Sequence, residues 1–207
     1  MSEQDRWNQR YEKSDIPWDT GRPSSELQRV IAEQKLQPCR AIVLGCGTGT
    51  NAVWLAQQGF DVTAVDFSEL AIEKAKQQAG KARVRVNFMT ADVLAPPELG
   101  GPYRFVFDRG CYHVVRRIDV HAYLRTLRNI TLPDAFALVL AGNANEPHDP
   151  GPPVVTEQEM RAELGTLFDI LWLRDFRFDQ VEAVGVQFLG WSCGLRRRAG
   201  PATMQPS

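Results

Sequence analysis

The pattern that decides the fold is IVLGCGTGTNAVWLAQQGFDVTAVDF, residues 42–67. An apolar run leads into a glycine-rich segment, a helical pattern follows at about residues 50–58, and a second apolar run closes on Asp66. The glycines are Gly45, Gly47 and Gly49. This order predicts a strand, a sharp turn, a helix and a parallel strand, with a turn backbone that a ligand can approach closely.

Similar apolar runs, rich in Val, Ile and Phe, recur along the chain and alternate with helical patterns. The runs lie at 41–45, 61–66, 84–90, 103–108 and 135–142, and the helical patterns at about 50–58, 68–79 and 119–130. We expect Ser68 to cap the second helix and Gly80 to end it. Repeated alternation of strand and helix predicts an α/β fold with a mostly parallel sheet.

The pattern changes after residue 142. Residues 142–155 are rich in proline and predict a loop that overhangs the substrate pocket with Asn143, His148 and Asp149. A helix from about Thr156 follows, with TEQE as its capping box. Two further apolar segments, FDILWLRDFRF and AVGVQFLGWSCGLRR, predict an antiparallel hairpin that turns near Asp179 at the edge of the sheet.

Length and composition indicate one domain, residues 1–198, followed by a disordered tail at 199–207. The 24 Lys and Arg residues balance 25 Asp and Glu, so we expect no nucleic-acid partner. Apolar runs never approach the roughly 20 residues that cross a bilayer, which predicts no membrane partner. The four widely spaced cysteines indicate reduced thiols without a metal site, and hence a cytoplasmic protein. The near-zero net charge favours a small-molecule partner, and we expect a monomer or weak dimer.

The glycine-rich segment narrows the choice of ligand. Thr50 and Asn51 follow the last glycine, where a phosphate-binding loop has Lys and then Ser or Thr. The spacing G-x-G-x-G is one residue tighter than the dinucleotide fingerprint. Asp66, at the end of the second strand, is placed to accept ribose hydroxyls. The residues therefore favour a ribose ligand without a pyrophosphate.

VLGCGTGT, Asp66 and ADVL at 91–94 together resemble class I S-adenosylmethionine-dependent methyltransferases. The resemblance implies a Rossmann-like, mostly parallel sheet of seven strands, with an antiparallel C-terminal hairpin strand and helices on both faces. It implies that the glycine segment approaches the methionine end of the cofactor, that Asp66 accepts the ribose hydroxyls, and that Asp92 accepts from the adenine amino group. The remaining cofactor-binding residues that it implies are Gly45, Cys46, Gly47 and Gly49 in the loop and Phe67 and Val93 around the adenine ring. Many members carry an acidic residue two positions before the first glycine, where this chain has Val43.

RWNQRYEKSDIPWDTGRPSSEL, residues 6–27, and FDRGCYHVV, residues 107–115, are similar to the branch of thiopurine S-methyltransferases, tellurite-resistance proteins and thiol methyltransferases. The similarity implies an N-terminal lid, residues 1–27, over the cofactor. Its aromatic members are Trp7, Tyr11 and Trp18, and Trp18 can attract the sulfonium cation. The similarity also implies that Arg109 and Gly110 line the reacting pocket, with Arg109 close to the cofactor.

Methyl transfer needs alignment of the acceptor with the methyl group more than it needs proton transfer. Asp108 ends the fourth strand at the edge where ligands bind, so it is a candidate catalytic residue. Arg109 is a candidate to hold an anionic acceptor, and His113 is the candidate proton acceptor. We interpret Cys111 as a wall residue, and Arg116 with Arg117 as a solvated face.

The predicted function is S-adenosylmethionine-dependent methylation of a small molecule at sulfur, selenium or tellurium. Soft acceptors of this kind are partly ionised near neutral pH and require little help from a base. Two alternatives stay open at this point. One is methylation at oxygen or nitrogen of a small metabolite, and the other is a binding module for the cofactor without catalysis.

Overall fold

The computed structural model describes residues 2–147, 151–179 and 187–199. These residues form one sheet of eight strands and six α-helices. The strands are β1 Arg40–Leu44, β2 Asp61–Asp66, β3 Asn87–Thr90, β4 Tyr103–Arg109, β5 Thr131–Asn143, β6 Val154–Val155, β7 Phe168–Arg177 and β8 Leu189–Arg197. The helices are α1 Glu3–Glu12, α2 Ser25–Glu33, α3 Thr50–Gln57, α4 Glu69–Ala82, α5 Tyr112–Ile130 and α6 Glu157–Leu164. Within the described ranges, no helix is long and apolar enough to cross a membrane.

The strand order is β3-β2-β1-β4-β5-β8-β7, and the short β6 pairs with the end of β5. Strands β1 to β5 pair in parallel, whereas β8 runs antiparallel to both β5 and β7. The predicted parallel sheet with an antiparallel C-terminal hairpin is therefore confirmed. Most of the predicted turn near Asp179 lies at 180–186, outside the described residues, as do His148, Asp149 and all of the predicted tail except Ala199.

Each face of the sheet contributes to its own hydrophobic core. Ile42 and Leu44 of β1 point to a core that contains residues of α5 and α6, while Ala41 and Val43 point to a core with residues of α2, α3 and α4. A central strand covered by helices on both faces must be apolar throughout, which explains its continuous apolar run. In the β1 and β4 register, Leu44 pairs with Asp108, so the ends of these strands meet at one edge of the sheet.

The predicted end of α4 is wrong. Gly80 lies inside the helix, and Arg83 instead adopts the left-handed conformation at the C-terminus, with φ of 56°. Gly80 is exposed, and a Cβ atom there would meet nothing within 4 Å. The helix therefore continues past a glycine that no packing contact requires.

The predicted start of the last long helix is also displaced. Helix α5 begins at Tyr112 and breaks at Asp119, whose φ and ψ are −155° and 93°. The Asp119 carboxylate accepts a hydrogen bond from the Ala122 N–H, so it caps the second half of α5. The sequence pattern predicted the second half of this helix, from about residue 119, and missed the preceding turns. The caps predicted at Ser68 and Thr156 are confirmed by hydrogen bonds to Ala71 N–H and Glu159 N–H.

Candidate active site

The glycine loop lies between β1 and α3, and its three glycines all adopt left-handed φ angles: 61° at Gly45, 56° at Gly47 and 85° at Gly49. A Cβ at Gly45 would lie 2.7 Å from the Cys111 Cβ, and one at Gly49 would lie 2.7 Å from the Ala75 Cβ. Glycine is therefore required by both conformation and space. The neighbouring Cys46 is buried, and its N–H donates to the Val65 carbonyl, which joins the loop to β2.

Asp66 lies at the end of β2, beside this loop. One carboxylate oxygen accepts the Gly47 N–H at 2.8 Å, and the other accepts the Ser68 N–H at 2.9 Å. Burial raises the pKa of Asp66, while the backbone hydrogen bonds oppose that shift. Each oxygen retains further acceptor capacity. The group is thus fixed in place and suited to accept hydroxyl donors from a ligand.

The residues predicted around the adenine ring lie next to Asp66. The Ala91 N–H donates to the Asp66 carbonyl at 2.9 Å, so the segment after β3 follows the end of β2. Half-buried Asp92 accepts the Leu94 N–H, Val93 is buried, and Phe67 is half-buried. The structure therefore brings the four predicted adenosine contacts to one edge of the sheet.

Helix α1 of the lid docks on this edge. The Gln4 amide donates to the Phe67 carbonyl at 3.0 Å, and the Ser68 hydroxyl donates to Asn8 at 2.6 Å. Tyr11 is 3% exposed, and its hydroxyl lies 3.1 Å from the position of a Cβ at Gly47. The lid thus covers both the glycine loop and the turn after Asp66.

The lid aromatics form one cluster. Trp18 makes edge contacts with Trp7 at 5.7 Å and with Tyr11 at 6.3 Å between ring centroids. The Arg10 guanidinium lies 4.3 Å from the Trp18 ring centroid, so a cation already occupies one side of this ring. A sulfonium cation could therefore contact Trp18 only on the part of the ring that Arg10 leaves uncovered.

Arg109 connects three separate parts of the chain. Its Nη1 donates to the Trp18 carbonyl at 3.0 Å, and its guanidinium carbon lies 5.3 Å from the centroid of the Phe178 ring. Burial lowers the pKa of Arg109, and the charges of Asp179 and Asp19 partly oppose this shift. The lid, the end of β4 and the C-terminal hairpin therefore meet at one guanidinium group.

Asp108 is fully buried and holds the turn that presents Arg109. Its carboxylate accepts the N–H groups of Cys111 and Tyr112 and the Tyr123 hydroxyl, the last at 2.8 Å. Burial raises the pKa of Asp108 to about 6, and these hydrogen bonds oppose the increase. Its geometry is that of an acidic cap at the start of α5.

His113 is 6% exposed, and its Nδ1 accepts the Gly142 N–H at 2.8 Å. Burial, with a smaller contribution from Arg109, lowers the pKa of His113 to about 3. The imidazole is therefore neutral near pH 7, and one ring nitrogen is already engaged. Gly110, with φ of 89°, leaves space for this ring, because a Cβ there would lie 3.3 Å from the His113 Nε2.

Comparison with known proteins identifies the family of this chain. The family model described as thiopurine S-methyltransferase (TPMT) matches residues 2–190. The chain belongs to this family. Thiocyanate methyltransferase 1 of Brassica oleracea is 29% identical over 73% of this chain and 67% of its own length.

Two solved structures share the fold of this family member. One is a structure described under the conversion of a disulfide bond into a thioacetal group during echinomycin biosynthesis. It has a TM-score of 0.83 and 20% identity, and the match covers 98% of this chain and 94% of that chain. The other is the 1,6-didemethyltoxoflavin-N1-methyltransferase of Burkholderia thailandensis with bound S-adenosylhomocysteine. It has a TM-score of 0.73 and 19% identity over 95% of this chain and 87% of its own.

The residues present fit the cofactor of the family. The glycine loop supplies an open backbone at the N-terminus of α3, and Asp66 is a fixed carboxylate with free acceptor capacity. Asp92 lies beside it at the end of β3. The protein is an S-adenosylmethionine-dependent methyltransferase of small molecules.

Several side chains at the site lie outside the sequence predictions: Asp19, Thr48, Tyr123 and Phe178. Their signals were weak because each lies in a segment assigned to another role, such as a lid, a helix or a hairpin.

The interpretation of Arg116 as solvated is wrong. Its side chain is 12% exposed and forms ion pairs with Glu159 and Glu163 of α6. Asn143 is buried and donates to Asp175 at 2.8 Å, which holds the start of the 142–155 loop.

Proposed function

We propose that this methyltransferase acts on a soft nucleophile, a sulfur, selenium or tellurium atom of a small molecule that enters as its anion. The observation that carries the proposal is the division of charge on the reacting side. Arg109 is a fixed cation there, whereas Asp108 is enclosed by three donors and His113 is neutral with Nδ1 engaged. Such a site favours an acceptor that has already lost its proton.

The protein then mainly aligns the acceptor with the methyl group and excludes water from the site. S-adenosylmethionine supplies the electrophilic methyl group when it is bound by the glycine loop, Asp66 and Asp92. Arg109 is proposed to orient the anionic acceptor by charge-assisted hydrogen bonds. The aromatic lid is proposed to exclude water, because Tyr11 and Trp18 pack over the glycine loop and beside Arg109.

The predicted catalytic roles of Asp108 and His113 become positioning roles in this proposal. Asp108 holds the turn that carries Arg109, and His113 ties α5 to the end of β5 through Gly142. A thiolate acceptor needs no general base, so neither residue has to move a proton. The name of the Brassica relative, a thiocyanate methyltransferase, is in keeping with a sulfur acceptor.

The test compares acceptors that share one ring and differ in the accepting atom: benzenethiol, phenol and aniline. We expect turnover with benzenethiol that exceeds the other two by about 100-fold or more, a transition-state difference of about 2.7 kcal/mol. The kcat/KM for two thiols of different acidity should rise with the ionisation of each thiol. An enzyme ionisation that limits kcat/KM equally for both thiols would instead indicate a protein base and contradict the proposal.

Preference for phenol or aniline in this panel would favour the alternative acceptor atoms, oxygen or nitrogen. Turnover of none of the panel, together with tight binding of S-adenosylhomocysteine, would favour the alternative of a binding module. We further propose a cytoplasmic protein, since all four cysteines are free. We also propose that it is a monomer or weak dimer.

A further inference from the structure

The cofactor carries an α-ammonium group at its methionine end, and a cation in a closed site needs an anionic or carbonyl partner. The glycine loop presents backbone N–H groups, which suit an anion and not a cation. Strand β1 offers no carboxylate before the loop, because Val43 is 2% exposed and packs into the core. A carboxylate partner therefore has to come from another part of the chain.

The carboxylates of the strand ends are committed elsewhere. Asp66 binds the Gly47 and Ser68 N–H groups at the ribose position, and Asp92 lies beyond it at the end of β3. Asp108 is 0% exposed and accepts hydrogen bonds from Cys111 and from Tyr112 and Tyr123 of α5. A ligand at the glycine loop cannot reach Asp108 without unfolding that turn.

Asp19 of the lid is placed differently. Its Oδ2 accepts the Thr48 hydroxyl at 2.7 Å, and Thr48 lies in the middle of the glycine loop. Its Oδ1 accepts the Gly21 N–H at 2.9 Å, which fixes the carboxylate. Two hydrogen bonds leave part of the acceptor capacity of this carboxylate free.

The charged surroundings of Asp19 support a cation-binding role at this point. Burial and the Asp66 charge raise the pKa of Tyr11, which covers Gly47, and the Asp19 charge adds to this increase. Burial lowers the pKa of Arg109, and the charges of Asp179 and Asp19 oppose that shift. Arg109 is held by the carbonyl of Trp18, the residue before Asp19. Asp19 therefore lies between the glycine loop and the reacting side, where the methionine end of the cofactor is expected.

We propose that Asp19 binds the α-ammonium group of S-adenosylmethionine, so that the lid supplies the carboxylate that β1 lacks. The proposal rests on the assigned cofactor and adds a residue to its binding site. It also gives the lid a direct role in affinity, because the cofactor then bridges Asp19 and the glycine loop. A ligand without the amino group forgoes this bridge.

Calorimetric titration with two ligands tests this role. The first ligand is S-adenosylhomocysteine, and the second is its analogue with hydrogen in place of the α-amino group. We expect Asp19→Asn to weaken S-adenosylhomocysteine binding by about 10- to 100-fold, because a charge-assisted hydrogen bond is lost. The same variant should bind the analogue within about twofold of the wild type.

Glu12→Gln is the matched control, since it removes an exposed carboxylate from the same lid without a contact to the glycine loop. It should leave both affinities unchanged. Thr48→Val keeps the Asp19 charge but removes one of the two hydrogen bonds that hold the carboxylate. It should therefore weaken the binding of S-adenosylhomocysteine but not of the analogue, and by less than Asp19→Asn does. This pattern separates a contact with the amino group from a general loss of lid structure.

Equal weakening of both ligands by Asp19→Asn, or no weakening of either, would overturn the proposal and leave the cofactor assignment intact. Failure of the wild type to bind S-adenosylhomocysteine at all would instead overturn the cofactor assignment and this proposal with it. The two failures are therefore distinguishable in one experiment.

Discussion

The part of the site proposed to bind the cofactor, the cofactor half, and the part proposed to bind the acceptor, the acceptor half, are built in different ways. The cofactor half consists of the glycine loop and Asp66, which lie in one continuous stretch and interact through backbone N–H groups. The acceptor half gathers Trp18, Arg109 and Phe178 from the lid, β4 and the C-terminal hairpin. One half depends on local backbone geometry, and the other depends on contacts that only the folded chain makes.

The strongest test of the cofactor half is Asp66→Ala. We expect it to weaken S-adenosylhomocysteine binding by about 1000-fold, because the ribose loses a charged acceptor and the Gly47 N–H loses its partner. Calorimetric titration measures the change. Asp61→Ala, at the exposed start of the same strand, should have no effect on affinity. Similar affinities for Asp66→Ala and wild type would place the ribose elsewhere.

Asp108 holds the turn that presents Arg109, and the pH dependence of stability tests this role. Burial raises the pKa of Asp108 to about 6, above the roughly 3.9 of an unfolded aspartate. Between these pH values the folded chain keeps a proton that the unfolded chain loses. The contribution of this carboxyl to the free energy of unfolding is therefore fully present below about pH 4 and is lost as pH rises through 6. We expect the stability of wild type relative to Asp108→Asn to fall by about 2 kcal/mol from pH 4 to pH 7.

Urea unfolding at a series of pH values measures this difference. Glu159→Gln provides a control of opposite sign, because hydrogen bonds from Thr156, with Arg116, lower the pKa of Glu159 to about 2. The contribution of Glu159 is present above about pH 4.3 and is lost as pH falls towards 2. A pH-independent difference for Asp108→Asn would show that Asp108 is not the buried acid of this turn.

Arg109→Gln asks whether Arg109 belongs to the acceptor half alone. We expect kcat/KM for a thiol to fall by about 30-fold while the affinity for S-adenosylhomocysteine changes by less than about threefold. Steady-state kinetics and calorimetry supply the two values. Arg125→Gln, an exposed arginine on α5, is a suitable control. Equal losses in both measurements would assign Arg109 to the cofactor half as well.

The smallest effect contrasts two glycines near α4. Gly80 is helical with open space around it, so Gly80→Ala should raise the free energy of unfolding by about 0.5–1 kcal/mol without changing cofactor affinity. Gly49→Ala should destabilise the protein and weaken binding, because φ is 85° and Ala75 occupies the space. Thermal unfolding compares the stabilities of the two variants, and calorimetric titration compares their affinities for S-adenosylhomocysteine. Destabilisation by Gly80→Ala would show a packing role that the structure does not reveal.

The accuracy of the sequence predictions follows the same division. Ser68 and Thr156 are correct caps because capping is a contact between residues three positions apart. Gly80 is a wrong helix end because nothing local forces the backbone out of the helix there. Arg116 is misassigned because its partners, Glu159 and Glu163, lie on a helix that joins α5 only after folding.

The sequence by itself determined the alternation of strands and helices, the glycine turn and the carboxylate that follows the second strand. Periodicity, glycine conformation and capping are local properties, so they can be read along the chain. Only the tertiary structure decided that Arg109 meets Trp18 and Phe178, that His113 is buried and neutral, and that Asp19 reaches Thr48. Burial and partnership depend on which distant segments pack together, and these set the pKa values and hydrogen bonds on which the chemistry of the site depends.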